Sequence, residues 1–249
     1  MDYKILGTTM PVLEVTLNPG ESVVSVSGEL SWMSSAIEMQ THSQFGGGGG
    51  VFGALKRATG GASFFMTEYA ARRGSGYVAF ATKVPGAIMP LQVHPGQTYM
   101  VHRHGFLAGT PGAELSVGFQ QSLGAGIFGG EGFRLTRLAG QCLAWIELSG
   151  ELVTYDLRPG ETLRVHPGHV GMFEDRVSFE IMRIKGIRNM LFGGDGIFLA
   201  ALTGPGRVWL QSLPLPNLAH ALSPYLASGE VRAAGAGAVL GSVLKGLAD

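Results

Sequence analysis

Charged residues are scarce in this chain, and the two signs cancel. Only 14% of the 249 residues are charged, with 18 basic and 18 acidic side chains and a formal net charge of zero. The sequence shows no extended basic stripe that could bind phosphates, which argues against a DNA partner and disfavours RNA. With 45% hydrophobic residues, the composition also differs from that of disordered chains, which are polar and highly charged.

The sequence also lacks the marks of an exported or membrane-spanning protein. Cys142 is the one cysteine, so no disulfide forms within the chain, and we interpret it as a small buried strand residue. The first ten residues, MDYKILGTTM, have no cationic start followed by an apolar core. The apolar run AAGAGAVLGSVL (233–244) is too short to span a bilayer. We therefore expect a soluble, cytoplasmic protein.

Motifs of the common enzyme classes are missing as well. The chain contains no HExxH, no CxxC, no GxxxxGK[ST] and no serine in a nucleophile elbow. Glycine-rich strings are present, but two of them lead into predicted strands and so lack the helix dipole that favours phosphate. The motifs therefore predict no catalytic residue and no cofactor.

What the sequence does contain is glycine and a repeated turn. Forty glycines spread along the chain indicate many tight turns and an all-β protein. One pattern occurs three times, as LEVTLNPGESVVSVSGEL (13–30), MPLQVHPGQTYMVHRHGF (89–106) and LVTYDLRPGETLRVHPGHV (152–170). Each copy places a Pro-Gly turn between two alternating strands. The turn residues are Pro19, Gly20, Pro95, Gly96, Pro159 and Gly160.

These turns predict both backbone and side-chain behaviour. Proline presets φ at the first central position and glycine accepts a positive φ at the second, so a β-branched residue in place of Gly160 is expected to clash. Glu21, Gln97 and Glu161 follow the three turns at one repeated position. A side-chain oxygen next to a turn usually binds backbone N–H groups, which we expect here in preference to acid–base chemistry.

The repeats divide the chain into a β region and a tail. We predict one continuous β domain over 1–214, made of units at roughly 1–75, 76–138 and 139–214, because repeats of this size bury their apolar faces against neighbours. Trp145 and Trp209 fall at matching places in two of the units, and Val78 or a neighbour takes that place in the first. The Ala- and Leu-rich segment 215–249 predicts a helical tail.

The sequence resembles a known family over about residues 1–215. The resemblance is carried by the three Pro-Gly-Glu/Gln turns, by the five-glycine loop Gly46–Gly50, and by FGGEGFRLTRLAG (128–140) and FGGDGIFLAALTGPG (192–206). The family comprises bacterial and archaeal relatives of the altered-inheritance-of-mitochondria biogenesis protein, formerly classed as a domain of unknown function. It implies three tandem units of a shortened double-stranded β-helix, similar to the tryptophan RNA-binding attenuation protein.

The resemblance also implies an assembly but no activity. It predicts strands swapped between units and a ring-like homotrimer. It supplies no established catalytic residues. Its eukaryotic relatives are associated with mitochondrial membrane organisation, which implies at most a peripheral contact with membranes. RNA binding by analogy with the attenuation protein is disfavoured by the neutral charge and by the lack of a repeated basic residue.

Two histidines leave one alternative open. Gly96, five residues and then His102-x-His104 match the start of the cupin metal pattern, and residues two apart on a strand face the same side. His166 could complete the ligand set for a divalent transition metal, but the usual glutamate is missing. Aligned on the turns, His102 matches His166 and also Val26, so the fold itself needs no ligand there. We expect a non-enzymatic scaffold or binding protein, with a cupin-like metal enzyme as the alternative.

Overall fold

The computed structural model describes residues 1–42, 66–121, 133–184 and 197–226. The chain divides into a compact unit, Met1–Pro214, and a second unit, Leu215–Asp249. The second unit contains a helix in its described part, α1 (Leu215–Leu226). No helix within the described ranges is long and apolar enough to cross a membrane. The three glycine loops (Gly46–Gly50, 128–132 and 192–196) and the tail after α1 lie outside the described residues.

The first unit is built from antiparallel strands, which confirms the all-β prediction. An opening strand, β1 (Asp2–Leu6), precedes three consecutive sets of six strands. Set 1 is β2 (Val12–Leu17), β3 (Ser22–Val26), β4 (Trp32–Met33), β5 (Ile37–His42), β6 (Met66–Ala71) and β7 (Gly76–Ala81). Set 2 is β8 (Gly86–Val93), β9 (Tyr99–His102), β10 (Phe106–Gly109), β11 (Ala113–Gln121), β12 (Phe133–Gly140) and β13 (Cys142–Ser149). Set 3 is β14 (Leu152–Leu157), β15 (Thr162–Val165), β16 (Val170–Glu174), β17 (Ser178–Ile184), β18 (Ile197–Thr203) and β19 (Gly206–Gln211), with a short 3-10 turn, Pro167–His169, before β16.

The strands pair in the same way within each set. The sixth strand lies between the first and the third, and the fifth lies between the second and the fourth. Each set therefore forms two half-sheets of three strands. The sets run over 12–81, 86–149 and 152–211, so the first two end one strand later than the boundaries at 75 and 138 drawn from the sequence. The sixth strand belongs to the set that it ends, because its hydrogen-bonded partner is the first strand of that set.

Half-sheets of consecutive sets join into larger sheets. The second strand of one set pairs with the third strand of the next, β3 with β10 and β9 with β16. The resulting sheets are sheet A (β1-β2-β7-β4), sheet B (β5-β6-β3-β10-β13-β8), sheet C (β11-β12-β9-β16-β19-β14) and sheet D (β15-β18-β17). Sheets B and C are complete six-stranded sheets, whereas sheets A and D each contain a single half-sheet.

The sheets stack with a hydrophobic core between each pair. Core 1 lies between sheets A and B, core 2 between B and C, and core 3 between C and D. Alternation along β13 shows why: Trp145 points into core 1, whereas Ala144 and Ile146 point into core 2. The central strands of the two middle sheets, such as β10 and β13, are therefore buried on both faces, whereas the edge strand β14 stays exposed.

The Pro-Gly turns have the backbone that the sequence requires. Gly20, Gly96 and Gly160 have φ of +87°, +82° and +78°, in the left-handed region that favours glycine. A Cβ added to any of the three would meet no atom within 4 Å. A larger side chain there is therefore opposed by backbone strain and not by the steric clash expected from the sequence.

Each turn is closed from both directions. The N–H of the Glu or Gln after glycine donates to the carbonyl of the residue before proline. The N–H of the residue before proline in turn donates to the side chain of that Glu or Gln. The backbone bonds are Glu21 to Asn18 (2.9 Å), Gln97 to His94 (3.0 Å) and Glu161 to Arg158 (3.0 Å). The returning bonds are Asn18 to Glu21 (2.8 Å), His94 to Gln97 (3.2 Å) and Arg158 to Glu161 (2.9 Å). The repeated carboxylates and amide thus stabilise turns.

Substitution of Gly160 by valine should lower the free energy of unfolding by at least about 1 kcal/mol, because a β-branched residue is strained at positive φ. Gly74→Val is the matched control, since Gly74 also faces open space but has no φ in the left-handed region. The control should change stability by less than about 0.5 kcal/mol. Equal effects of the two substitutions in urea unfolding would contradict this account of the turn.

Candidate functional site

At the two internal seams, where one set joins the next, polar side chains bind backbone groups. At the first seam Val24 lies opposite Gly109, and at the second Met100 lies opposite Phe173. Val24 and Met100 each lie five residues after the turn proline of their own set. Gly109 and Phe173, which face them, each lie fourteen residues after the turn proline of the next set. The two seams therefore share one register.

Glu147 and Gln211 hold the chain where it passes between sets. The Glu147 carboxylate accepts a hydrogen bond from the backbone N–H of Lys83, and the Gln211 side-chain carbonyl accepts one from the backbone N–H of Ser149, both at 3.1 Å. The Gln211 amide also donates to the carbonyl of Gly168 at 3.0 Å. Glu147 and Gln211 are both buried. Each therefore satisfies a linking N–H that would otherwise cost about 1–3 kcal/mol if buried without an acceptor.

An imidazole binds the backbone of the same two residues. His102 donates from Nε2 to the carbonyl of Glu147 at 3.1 Å, and His169 donates from Nδ1 to the carbonyl of Gln211 at 2.8 Å. In both cases the acceptor belongs to the sixth strand of a set. The histidines therefore tie the connection between the second and third strands to that strand.

The two imidazoles come from different places in the chain. His102 ends β9, whereas His169 immediately precedes β16, and the residue of set 2 that corresponds to His169 is Gly105. A Cβ on Gly105 would lie only 2.8 Å and 2.9 Å from the Cδ2 and Nε2 atoms of the His102 ring. The ring of His102 thus fills the space that a side chain at 105 would need. The alignment paired His102 with His166, yet it is His169 that makes the equivalent bond.

Burial controls the protonation of this cluster. Desolvation lowers the pKa of His102 to about 4, against the opposing effect of its bond to Glu147, with a further lowering from His104. Desolvation likewise raises the pKa of Glu147, while the N–H of Lys83 opposes the rise. The Lys83 ammonium itself binds Glu29 at 2.5 Å. At neutral pH His102 is therefore a neutral ring, as a donor to a carbonyl without a compensating charge should be.

The three histidines of the metal hypothesis are not brought together. β9 ends at His102, and His104 lies in the following turn, which the N–H of Gly105 closes on the carbonyl of His102 at 2.8 Å. The sequence predicts that His102 and His104 face the same side of one strand, but only His102 lies on the strand. His166 follows β15 in set 3, and its ring packs edge-on against that of His169 with centroids 6.0 Å apart. Residues 1–42, 66–121, 133–184 and 197–226 contain no group of three His, Cys, Asp or Glu that could hold a metal ion.

Two of the edge strands in the described structure, β4 and β15, are of the kinds that are paired at the internal seams. β4 is the third strand of set 1 and the last strand of sheet A, and β15 is the second strand of set 3 and the first of sheet D. These are the two kinds of strand that meet at the internal seams. Placed edge to edge, sheets D and A would reproduce the strand order of sheets B and C.

Sequence reasoning did not single out the polar groups of the seams. A signal for two of them was present, because Glu147 and Gln211 each follow a matched tryptophan, Trp145 or Trp209, by two residues. No periodic pattern could reveal His169, whose counterpart in set 2 is a glycine. The relation becomes visible only when the ring positions are compared in space.

Comparisons with known proteins agree with this fold. The profile of the family described as mitochondrial biogenesis AIM24 matches residues 3–213. An uncharacterized protein of Streptococcus pyogenes serotype M6 is 28% identical over 222 residues, which cover 87% of each chain. The X-ray structure of protein SPYM3_0169 from Streptococcus pyogenes is similar with a TM-score of 0.69 and 23% identity, covering 90% of this chain and 99% of that one. The family resemblance stated from the Pro-Gly turns and glycine strings is thereby confirmed.

His102→Gln should flatten the pH dependence of stability. The pKa of His102 is about 4 in the folded protein and near 6.5 when unfolded, so between these pH values the unfolded chain binds more protons at this residue. The free energy of unfolding of the wild type therefore loses this contribution as pH falls from 6.5 to 4. Glutamine keeps an N–H donor but does not titrate, and Glu147, whose raised pKa acts in the opposite direction, remains. Identical slopes for the two proteins in urea unfolding across this window would contradict a buried neutral imidazole.

Elemental analysis of protein purified without an affinity tag should find no stoichiometric transition metal. The reason is that His102 and His169 already use ring nitrogens to bind backbone carbonyls. Protein dialysed against EDTA serves as the control for adventitious metal. About one equivalent of Fe, Mn, Ni or Zn that is lost in His102→Ala would instead establish the metal-dependent alternative.

Proposed function

The chain belongs to the mitochondrial biogenesis AIM24 family, and on this premise we propose that it is a non-enzymatic scaffold or binding protein that assembles into a ring-like homotrimer. We further propose a cytoplasmic location with at most peripheral association with membranes. Each set of six strands is interpreted as one shortened double-stranded β-helix unit, whose third strand is swapped onto the preceding unit.

One observation carries the proposal: the chain starts and ends with complementary half-sheets. Sheets B and C each combine the second, fifth and fourth strands of one set with the first, sixth and third strands of the next. Sheet D offers only the former half and sheet A only the latter, preceded by β1. Exposed strand edges of this kind favour pairing with another chain. A head-to-tail contact that repeats the internal seam would pair β4 with β15 at every junction once the ring closes.

The number of chains in the ring rests on the family resemblance, which implies three. The described site adds no support for the cupin-like enzyme, because the His102 ring binds a backbone carbonyl and His104 lies beyond the end of β9, in the following turn. A scaffold needs neither residue to be reactive. Among the observations, the unfilled edges favour assembly over chemistry.

Static light scattering at micromolar concentration should give a mass near three times 26.2 kDa. Because the contact would consist of backbone hydrogen bonds between strands and of packing between apolar cores, raising the salt from 0.1 to 1 M should not lower the mass. A protein that stays at 26.2 kDa over the concentration range would refute the ring, and with it the scaffold.

A further inference from the structure

We propose that the outer face of sheet A in one copy completes core 3 of a second copy, with Trp32 as the central buried side chain and β4 paired to β15. The inference rests on the proposed assembly and specifies its contact. The outer face of sheet A is the side turned away from core 1, and it carries Val12, Glu14, Thr16, Trp32, Tyr77 and Ala79.

Inside the chain, cores 1 and 2 are each completed by a tryptophan from the following set. Trp145 of set 2 packs into core 1 and is fully buried, and Trp209 of set 3 packs into core 2 with 7% exposed. Both stand on the sixth strand of their set and both contact a tyrosine ring edge-on, Tyr3 at 5.2 Å and Tyr99 at 6.1 Å between centroids. Among the residues that the structure describes, no set follows core 3 to supply such a residue.

Set 1 carries a tryptophan suited to that role, on the neighbouring strand. In set 2, Trp145 on the sixth strand lies opposite Ala108 on the third. In set 1 the pair is exchanged, with Ala79 on the sixth strand and Trp32 on the third. The combined volume of the pair is therefore the same, but Trp32 is 46% exposed. Tyr77, two residues before Ala79 and thus on the same face, is also exposed.

The complementary surface lies at the other end of the stack. Val153 and Tyr155 on β14 are each 44% exposed. The residues that occupy these places in set 1, Leu13 and Val15, are fully buried in core 1, where Trp145 also packs. Core 3 is thus open over β14 at the place where cores 1 and 2 receive a tryptophan.

The internal seams also set the register of the contact. The shared register places Arg164 of one copy opposite Met33 of the next, as Val24 lies opposite Gly109 and Met100 opposite Phe173. One step further along, Val165 would then face Trp32. Val165 already belongs to core 3. The strand pairing and the filling of the core therefore place Trp32 at the same point.

The occupant must be a second copy and not the far end of the same chain. Sheets A and D are separated by sheets B and C, with cores 1, 2 and 3 in sequence between them. The two open faces thus lie at opposite ends of the stack within Met1–Pro214. The partner is identified by the internal seams, because pairing sheet D of one copy with sheet A of another would use the same strands in the same order as sheets B and C.

Trp32→Arg should convert the assembly to monomers in light scattering, because an arginine would bury a charge in core 3. The matched control is Met39→Arg, since Met39 is 53% exposed but lies on β5, at an edge of sheet B that is not used in the contact. The control should keep the mass of the wild type. Circular dichroism and urea unfolding establish that both variants fold, and an unchanged mass for a folded Trp32→Arg protein would overturn the proposal.

Cysteine cross-linking tests the register independently of that variant. Residues directly opposite each other on antiparallel strands are about 4.5–5.5 Å apart at Cα, within disulfide range. Met33→Cys combined with Arg164→Cys should form covalent species of two and three chains on mild oxidation, whereas Met33→Cys with Thr162→Cys, two positions away, should not. The native Cys142 is buried and does not compete.

The outcomes separate this inference from the proposed function. Cross-linked dimers from a mixture of the Met33→Cys and Arg164→Cys single variants would establish a contact between copies. A cross-link confined to one chain would mean that the chain closes on itself and would overturn the inference. An intact trimer that cross-links only in the Thr162 control would leave the assembly standing and refute this register. A wild-type monomer in light scattering would refute both.

Discussion

The pairing of the second strand of one set with the third strand of the next is the interaction on which the described structure depends. Without it, each set would consist of three-stranded half-sheets with open edges and one solvated face, which is a marginal arrangement in water. With it, sheets B and C become six-stranded, and their central strands are buried on both sides. The two ends of the chain do not have this pairing, and the exposed apolar residues Trp32 and Tyr155 lie there.

The polar groups of the seams follow from this arrangement. Backbone N–H groups need acceptors, and where the chain passes from one set to the next, those of Lys83 and Ser149 are bound by buried side chains. Glu147 and Gln211 supply them from equivalent positions, one as a carboxylate and the other as an amide. Since a neutral amide performs the same task, the charge of Glu147 is not required by the fold.

The sequence revealed the parts of the fold that are local and concealed those that are not. Pro-Gly turns, alternating strands and the glutamates beside the turns could all be read because each depends on a few consecutive residues. The edges joined at a seam could not, since Val24 and Gly109 are far apart in the chain and no local pattern encodes their register. Trp32 escaped notice for a related reason: its partner Ala79 stands where the other sets have tryptophan, and only the strand pairing shows that the two residues have exchanged places.

The histidines illustrate how a motif can be correct in spacing and different in role. His102-x-His104 matches a metal pattern along the chain, but the strand ends at the first of the two, so the geometry that makes the motif work is absent. The same space is filled by His102 in one set and by His169 in another, from positions three residues apart, and both donate to a carbonyl of a sixth strand. A catalytic ligand would be tied to one position by the geometry of its metal. An imidazole that can arrive from either position serves the hydrogen bond to the sixth strand, and at both seams that bond stabilises the fold of the chain.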